Sequence, residues 1–360
     1  MRKNQVPQRG RGAQSANVPQ RFGLAQRHVD GDWRDAVEAV DGPAPKLRTT
    51  VTEEAPRSIL SFNQSPDIGF DRSINAYRGC EHGCIYCFAR PTHAFHDLSP
   101  GLDFETKLFA KPLAADLLRK TLARPRYRPR PIAMGTNTDP YQPIESRYRI
   151  TRQVLEVCLE TRHPVTITTK SDRLLHDLDL LEELARHNLV AVSISVTSLD
   201  PTLSGHLEPR AASPAKRLNA LEKLVKHAVP AHCSIAPVIP AITDMFMEEI
   251  VARAAKVGVE NCGWIPLRLP HEVAPLFQEW LEIHYPERAG KVMGIVRSIR
   301  NGRDNDPDFF TRLRPKGVWA DLFRARFRLA CRRAGIENPP IELDTVAFRP
   351  PQTGRQLQLL

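Results

Sequence analysis

Short runs of apolar and β-branched residues alternate with amphipathic stretches from residue 73 onward in this 360-residue chain. Such runs predict strands, and stretches with apolar positions recurring every three or four residues predict helices. Strands that alternate with helices predict a parallel sheet with right-handed crossovers. The predicted strands are 73–77, 104–109, 131–135, 165–169, 190–196 and 231–238, and the predicted helices are 112–123, 146–160, 172–187, 214–227 and 243–256. Residues 259–269 are a candidate for a short seventh strand.

Six strand–helix units fit two α/β architectures, an open doubly wound sheet and a barrel. No Gly-x-Gly-x-x-Gly segment follows any predicted strand, which disfavours a dinucleotide-binding fold. In a barrel, the loops that follow the strands carry the functional site. The residues just after each predicted strand are therefore the candidates for function.

Three of the seven cysteines lie in the loop after the first predicted strand. Cys80, Cys84 and Cys87 are spaced C-x3-C-x2-C. Thiolates at this spacing can bind one metal centre from a single loop, and both zinc and iron–sulfur clusters accept thiolate sulfur. Three thiolates leave one iron of a four-iron cluster without a protein ligand. A closed zinc site needs a fourth ligand, for which His82 is a candidate, although zinc fingers usually supply their second ligand pair further along the chain.

With Tyr86 directly before the third cysteine and a predicted strand just upstream, this loop resembles the signature of the radical S-adenosylmethionine (SAM) enzymes. The resemblance implies that Cys80, Cys84 and Cys87 hold a [4Fe-4S] cluster, that SAM chelates the fourth iron, and that Tyr86 lies near the adenine. It also implies reductive cleavage of SAM to a 5'-deoxyadenosyl radical that abstracts a hydrogen atom from substrate, with a flavodoxin- or ferredoxin-type electron donor. The six units match the partial (β/α)6 TIM-like barrel of this superfamily, and we expect that fold.

Within the superfamily, residues 60–270 most resemble the spore photoproduct lyase-like group, often labelled DNA repair photolyase-related. The resemblance rests on the cysteine loop, on the Thr-x-x-Asp segment 136–139, and on the Glu-Pro-Arg segment 208–210. The lyase carries a hydrogen-donor cysteine just ahead of the corresponding aspartate, in a Cys-Thr-Ser-Asp-like segment, whereas the matching segment here is Thr136-Asn137-Thr138-Asp139, without a cysteine. The departure argues against photoproduct repair but not against radical initiation.

Polar side chains share one face of three predicted strands. Strand side chains alternate between the two faces, and the opposite face is rich in valine and isoleucine, as expected where helices cover a parallel sheet. We therefore expect a polar lumen that suits a polar substrate and the ribose of SAM. The residues on this face are Thr166, Thr168, Lys170, Ser193, Ser195, Thr197, His232 and Ser234.

The resemblance also implies SAM contacts at the strand ends. Thr138 and Asp139 lie where the superfamily's glycine-rich segment receives the SAM amino group, while helix capping is an equal alternative for Asp139. Arg210 is a candidate partner of the SAM carboxylate, because a guanidinium can bind a carboxylate through two hydrogen bonds; a solvated surface arginine is the alternative. Val238 belongs to an apolar wall, after the sixth predicted strand, that suits the adenine. The predicted cofactor-binding residues are Tyr86, Thr138, Asp139, Lys170, Ser195, Arg210 and Val238.

The remaining segments define the predicted organisation of the chain. Residues 1–22 contain five arginine or lysine residues and no acid, and we expect a disordered basic tail. Residues 23–72 lack a persistent period and are expected to form an irregular N-terminal extension. Residues 73–270 are the predicted barrel, and 271–360 are a predicted helical C-terminal region.

The C-terminal region is strongly basic. Segment 288–333 holds 13 arginine or lysine residues against 4 aspartates, a net charge of +9, while the whole chain has a net charge of +10. Its interleaved aromatic residues are Phe309, Phe310, Trp319, Phe323 and Phe327. Basic residues with aromatic ones are typical of a nucleic-acid-binding surface. The alternative is a helix whose aromatic residues are core and whose arginines are solvated.

Composition adds constraints on location. No run of about 18 apolar residues is present, so we expect no membrane span. The first residues lack the apolar core of a signal peptide, and the other four cysteines are scattered singly, as in cytoplasmic proteins. Two hypotheses follow. The first is a cytoplasmic radical SAM enzyme acting on a polar substrate, with nucleic acid as one candidate. The alternative is a nucleic-acid-binding protein with a structural metal site and no radical chemistry.

Overall fold

A seven-stranded sheet forms the centre of the protein, in a computed structural model that describes residues 10–16 and 47–351. The strands of the described chain are β1 (Thr50–Glu53), β2 (Leu60–Phe62), β3 (Arg72–Ile74), β4 (Tyr77–Arg78), β5 (Lys107–Ala110), β6 (Ile132–Met134), β7 (Val165–Thr169), β8 (Val190–Ser195), β9 (Ala231–Val238) and β10 (Asn261–Pro266). The order in the central sheet is β10-β9-β8-β7-β6-β3-β2, and all neighbours are parallel except β2 and β3. The six parallel strands therefore lie side by side in chain order.

Helices connect successive parallel strands, as the alternation of hydropathy predicts. The α-helices of the described residues are α1 (Leu102–Thr106), α2 (Ala114–Leu122), α3 (Glu145–Tyr148), α4 (Ile150–Glu160), α5 (Leu178–Arg186), α6 (Pro201–Leu207), α7 (Pro214–Lys226), α8 (Met247–Lys256), α9 (Val273–His284), α10 (Pro286–Ser298) and α11 (Val318–Ala334). Short 3-10 helices span Arg90–His96, Asp172–Asp177 and Asp244–Phe246. None of the helices described is long and apolar enough to cross a membrane.

The prediction of a parallel sheet is confirmed, but one predicted strand is wrong. Residues 104–109 do not join the main sheet, because Leu102–Thr106 is helical and β5 pairs instead with β1 and β4 in a separate three-stranded sheet. Phe104 and the adjacent Glu105 are both fully buried, which a helical turn permits and a one-sided strand does not. The sixth parallel strand is β10, within the candidate seventh strand 259–269.

The two faces of the parallel sheet differ as the alternation of residues predicts. Ile167 and Val192 on the apolar face are about 1% exposed and pack in one core cluster with the helices. On the opposite face, Thr168 is exposed and Thr166 and Ser193 are half-buried, although these strands lie in the middle of the sheet. The helices therefore cover one face, and the polar face remains open.

The N-terminal segment, defined here as residues 10–16, corrects one expectation. Arg11, Gly12 and Ala13 are buried, and the Arg11 guanidinium donates to the carbonyls of Glu105 (2.9 Å) and Leu47 (3.1 Å). A disordered tail is therefore the wrong description of residues 10–16, because these basic and small residues satisfy buried acceptors. The remainder of the predicted tail and most of the extension, residues 1–9 and 17–46, lie outside the described residues, as do 352–360.

The C-terminal helices pack at two places. Helices α9 and α10 contribute Trp280 and Val292 to an apolar cluster that also contains Cys84 and Tyr86 of the cysteine loop. Helix α11 packs against α8 and buries Phe323 against Trp264 of β10. The predicted helical C-terminal region is thus joined to the sheet by apolar contacts.

Three of the four cysteines outside the cysteine loop are not scattered in space. Cys233 and Cys262 are register partners on β9 and β10, and Cys331 of α11 lies in the same core cluster. All seven cysteines are free thiols. These three fill the apolar side of the sheet, where a free cysteine behaves as a small hydrophobic side chain.

Substitutions on β7 test the difference between the two faces. Ile167→Ala should lower the free energy of unfolding by about 3 kcal/mol, because it leaves a cavity in the core. Thr168→Ala, on the open face, should change it by about 1 kcal/mol or less. Urea denaturation of both variants measures these changes in the free energy of unfolding. Equal losses for the two would contradict an open polar face.

Candidate active site

The cysteine loop, residues 79–87, follows β4 and lies between helices α1 and α6. The Cys80 amide donates to the carbonyl of Phe104 (2.9 Å), and the Ile85 amide donates to the carbonyl of Leu207 (3.0 Å). Gly79 has a φ of +72°, and a Cβ there would lie 2.8 Å from the Phe104 carbonyl oxygen. Only glycine fits this turn without strain, so the glycine before the first cysteine fixes the entry of the loop.

The three thiols of the loop are free and lie close enough to influence one another. Cys80 and Cys84 are buried, and Cys87 is half-buried. Burial, then the Asp139 carboxylate and the other two thiols, raise the pKa of Cys80, and burial is also the first cause of the raised pKa values of Cys84 and Cys87. Such thiols are poor free nucleophiles, and a metal centre would deprotonate them on binding. Three free thiols on one loop therefore fit the ligand set of a four-iron cluster, in which each cysteine binds a different iron.

His82, the candidate fourth zinc ligand, is paired with a carboxylate. Its Nδ1 lies 3.3 Å from Oδ2 of Asp139, and the His82 side chain is 3% exposed. In the part of the chain that is described, no group of three or more Cys, His, Asp and Glu side chains is arranged to hold a single metal ion. The described residues therefore do not present His82 together with the three cysteines as a closed zinc site.

A buried ion pair holds the back of the cysteine loop. Arg90 is fully buried and donates to the carbonyls of Gly83 (3.2 Å) and Cys84 (2.9 Å) as well as to Glu105 Oε1 (2.6 Å). The Glu105 carboxylate also accepts from the backbone amides of Gly12 (3.1 Å) and Ala13 (2.8 Å). Glu105 therefore connects the N-terminal segment to the arginine that shapes the loop.

Asp139, a predicted SAM contact, is surrounded by donors from the protein. Its Oδ1 accepts from Thr169 Oγ1 (2.6 Å) and the Tyr141 amide (2.9 Å), and its Oδ2 accepts from the Lys170 amide (2.8 Å). Burial alone would raise the pKa of Asp139, but His82 and these hydrogen bonds lower it. Asp139 thus joins the loop after β6 to the end of β7 and to His82, and a direct SAM contact stays a prediction.

Thr138 contacts the cysteine loop directly. Its hydroxyl donates to the Gly79 carbonyl (2.6 Å) and accepts from Gln142 Nε2 (2.9 Å). Gln142 is fully buried, and its Oε1 accepts from the Glu81 amide (2.9 Å). The Gln142 Nε2 also donates to the Gly79 carbonyl (3.2 Å). Sequence reasoning identified Thr138 but missed Gln142, whose side chain thus binds two positions of the loop.

Glu208 is the centre of a buried polar network at the ends of β7 and β8. Its carboxylate accepts from the Tyr86 hydroxyl, the Thr197 hydroxyl (2.8 Å) and the Arg217 guanidinium, and Lys170 Nζ lies 3.5 Å away. Burial would raise the pKa of Glu208, but Arg217 and then Lys170 outweigh it and lower the pKa to about 2. Glu208 is therefore ionised and fixes the orientation of Tyr86.

Three other predicted residues lie at the same edge of the sheet. Arg210 forms an ion pair with Glu81 of the cysteine loop (3.0 Å), and its amide donates to the His82 carbonyl (3.2 Å). Ser195 is buried, and its carbonyl accepts from Arg217 (3.0 Å). Val238 is buried at the end of β9. In this structure Arg210 thus pairs with the carboxylate of Glu81 in the cysteine loop. The guanidinium that pairs with Glu208 is that of Arg217.

The predicted residues thus converge on the carboxyl ends of the parallel strands. Tyr86, Thr138, Asp139 and Arg210 each belong to or contact the cysteine loop, and Lys170 lies 5.7 Å from the ring centroid of Tyr86. Residues that the sequence reasoning missed are those that support the loop from behind, namely Arg90, Glu105 and Gln142. No sequence motif marks these three residues, because each is a single polar residue whose role depends on contacts made in the folded protein.

The contact between the N-terminal segment and the cysteine loop can be tested at a glycine. A Cβ at Gly12 would lie 1.7 Å from the Gly83 carbonyl oxygen. Gly12→Ala should therefore displace the segment or the loop and destabilise the protein by about 2 kcal/mol, with a lower iron content after reconstitution. Gly290→Ala is the matched control, because a Cβ there meets nothing within 4 Å. Equal iron content and melting temperature in the two variants would show that the segment is dispensable.

The Glu208 network can be tested by removing its charge. Glu208→Gln leaves the buried Arg217 guanidinium without its carboxylate, which should cost about 3–5 kcal/mol of unfolding free energy. Glu222→Gln is the control, because its pair with Lys226 is exposed on the surface of α7, and no measurable loss is expected. Urea denaturation compares the variants, and a loss at Glu208 no larger than that at Glu222 would refute the assigned role.

Comparisons with known proteins identify the family of the chain. A family profile described as the radical SAM superfamily matches residues 74–254. The uncharacterized protein Rv2578c of Mycobacterium tuberculosis is 34% identical over 242 residues, which cover 66% of this chain and 71% of that protein. The uncharacterized protein MJ0683 of Methanocaldococcus jannaschii is 27% identical over 215 residues, which cover 59% of this chain and 76% of that protein.

Solved structures with a similar fold include spore photoproduct lyase complexed with dinucleoside spore photoproduct, with a TM-score of 0.57, 15% identity and coverage of 79% of both chains. A double mutant of that lyase with bound AdoMet and dinucleoside spore photoproduct has a TM-score of 0.53 at 15% identity, again over 79% of both chains. At this identity the likeness concerns the fold. Together with the family profile over 74–254 and the relatives, the cysteine loop establishes that this chain belongs to the radical SAM superfamily of enzymes.

Proposed function

We propose that the protein is a radical SAM enzyme in which Cys80, Cys84 and Cys87 hold a [4Fe-4S] cluster and SAM binds beside them, at the mouth of a partial (β/α)6 barrel. The observation that carries this proposal is the position of three free thiols on one loop, at the carboxyl edge of six parallel strands with an open polar face. When bound, the reduced cluster and SAM would supply a 5'-deoxyadenosyl radical that abstracts a hydrogen atom from substrate.

The chain's own residues would position these groups. Glu208 holds the Tyr86 hydroxyl, so that the aromatic ring beside the third cysteine keeps one orientation for contact with the adenine. Lys170 donates to the Ala236 carbonyl (2.9 Å) and faces the Tyr86 ring, which places its charge next to the cysteine loop. Thr138, Asp139, Ser195, Arg210 and Val238 line the remaining strand ends, where we place the amino acid and nucleoside parts of SAM.

The open face of the sheet supports a polar substrate. Its hydroxyl groups and His232 can donate to and accept from polar groups of a substrate without an apolar pocket. The basic C-terminal region and the resemblance of the fold to a lyase that binds a dinucleoside make nucleic acid the first substrate class to test. The segment 136–139 that matches the lyase's donor segment contains no cysteine, which argues against photoproduct repair itself.

The proposed reaction needs a reducing setting. A flavodoxin- or ferredoxin-type protein would supply the electron, and we place the reaction in the cytoplasm, where free thiols persist. The seven free cysteines of the structure support this placement.

Anaerobic reconstitution with iron and sulfide tests the proposal. The wild-type protein should show iron–sulfur absorbance and should convert SAM to 5'-deoxyadenosine and methionine when reduced, because three thiolates leave one iron free for SAM. Cys84→Ser should lose most of both signals, since it removes one of three ligands. Cys158→Ala, at a buried thiol of the core cluster outside the cysteine loop, should keep both.

Two outcomes would count against the proposal. One is a wild-type protein that binds zinc tightly, leaves SAM unchanged after reduction, and binds nucleic acid in a strongly salt-dependent manner, as the structural-metal alternative requires. The other is full SAM cleavage by Cys84→Ser. If neither outcome is seen, deuterium transfer from labelled DNA, RNA and protein substrates into 5'-deoxyadenosine would identify the substrate class.

A further inference from the structure

Arg268 lies at the same edge of the sheet as the cysteine loop. It follows the end of β10 by two residues, and its neighbours Leu267 and Leu269 are buried in the apolar cluster that contains Cys84 and Tyr86. Its guanidinium carbon is 5.9 Å from the ring centroid of Phe88, the residue directly after Cys87. Arg268 is therefore held beside the end of the cysteine loop by its buried chain neighbours and by the Phe88 ring.

The Arg268 guanidinium has no acceptor within the described residues. Its Nε is buried without a hydrogen-bond partner, and its other nitrogens make no hydrogen bond or ion pair there. By contrast, Arg90 and Arg217 place their nitrogens on several carbonyls and one carboxylate each. Burying a cation without a partner is costly, so an arginine kept in this state is suited to an acceptor that arrives from outside.

Nearby charges do not neutralise Arg268. Asp67 is engaged by Arg312, whose Nε donates to its Oδ2 (2.7 Å). Arg300 is buried beside them, donates to the Leu267 carbonyl, and adds a further guanidinium. Arg268, Arg300 and Arg312 face Asp67 and Asp306 here, so three positive groups face two negative ones. The excess of positive charge favours a ligand that is an anion.

Exposed aromatic rings surround this charge. Phe88 is 49% exposed and Phe309 is 51% exposed, although both are large apolar side chains. The Arg312 guanidinium lies 4.8 Å from the ring centroid of Phe309. Exposed rings beside arginines are suited to stacking against planar groups, as in proteins that bind single-stranded nucleic acids.

We propose that Arg268 binds a phosphate group of the substrate, with the Phe88 ring beside it available to a planar group of the same molecule. This inference rests on the proposed function, because it places the phosphate next to the cysteine loop where the radical would form. The planar fork of a guanidinium matches two oxygens of a phosphate. Phosphate is favoured over a carboxylate because several positive groups share the site.

Binding assays on the reconstituted protein test this site without turnover. Two probes separate the sources of phosphate, thymidine 5'-monophosphate and a fluorescent oligothymidylate, titrated at low ionic strength. Arg268→Gln should weaken binding of the probe that the wild type binds on the order of tenfold or more, because a charge-assisted contact is lost. Arg268→Lys, which keeps the charge but not the fork, should give an intermediate loss.

Arg126→Gln is the matched control. It removes one positive charge from an exposed position ahead of β6, at the edge of the sheet opposite the cysteine loop, so it should change affinity less than twofold if the site is at Arg268. Binding that Arg268→Gln leaves intact would overturn the proposal, as would a wild type that binds neither probe saturably. A loss at Arg126→Gln equal to that at Arg268→Gln would overturn it too, because it would indicate general attraction of anions.

The same variants separate this inference from the proposed function. Arg268→Gln should retain iron–sulfur absorbance and substrate-free cleavage of SAM, because the residue contacts neither the thiols nor the Glu208 network. If the wild type forms no cluster, the proposed function is refuted. The affinities of the wild type and Arg268→Gln for the phosphate probes can still be compared in that case. A normal cluster with unchanged phosphate binding in Arg268→Gln would refute only the assignment of Arg268.

Discussion

The buried ion pair between Arg90 and Glu105 is the interaction on which the cysteine loop depends. A loop that places three thiols on one side cannot also satisfy its own carbonyls, and Arg90 binds those of Gly83 and Cys84. The guanidinium could not remain in a fully buried position without a carboxylate, and Glu105 supplies one that is equally buried. Breaking such a pair leaves an uncompensated charge in the interior, so loop shape and local folding are coupled through Glu105.

The same carboxylate explains why the N-terminal segment is ordered. Gly12 and Ala13 donate their amides to Glu105, and the backbone comes so close to Gly83 that no side chain fits at position 12. Ser15 likewise accepts from the Leu102 amide at the start of α1 (3.0 Å). The segment therefore packs against the cysteine loop and the start of α1.

The sequence predicted most of what depends on local periodicity. Alternation in β7, β8 and β9 correctly separated the face packed on helices from the open polar face, because side-chain direction in a strand follows from position alone. It could not show that residues 104–109 leave the sheet, since the pairing of β5 with β1 depends on a strand far away in the chain. The basic composition of residues 1–22 suggested a disordered tail. The sequence could not correct this for residues 10–16, because the acceptors of Arg11 are distant along the chain. Nor could the sequence show that three cysteines, Cys233, Cys262 and Cys331, lie together in the core, because they are far apart along the chain.

Among the site residues, motif spacing predicted the thiols, whereas tertiary contacts decided the roles of the charged groups. Arg210 and Arg217 both follow Glu208 closely, and spacing alone favoured Arg210. In the structure, Arg217 lies in the first turn of α7, and its buried guanidinium reaches Glu208 and the Ser195 carbonyl, while Arg210 reaches Glu81. Lys170 and Arg217 together exceed the single charge of Glu208 by one positive unit. Burial and then the Glu208 carboxylate raise the pKa of Cys84, and these two cations act in the opposite direction. Lys170 and Arg217 also keep the pKa of Glu208 low. The Glu208 network therefore acts on the site by holding an ionised carboxylate against the Tyr86 hydroxyl, and the deprotonation of the buried thiols is left to the metal centre that binds them.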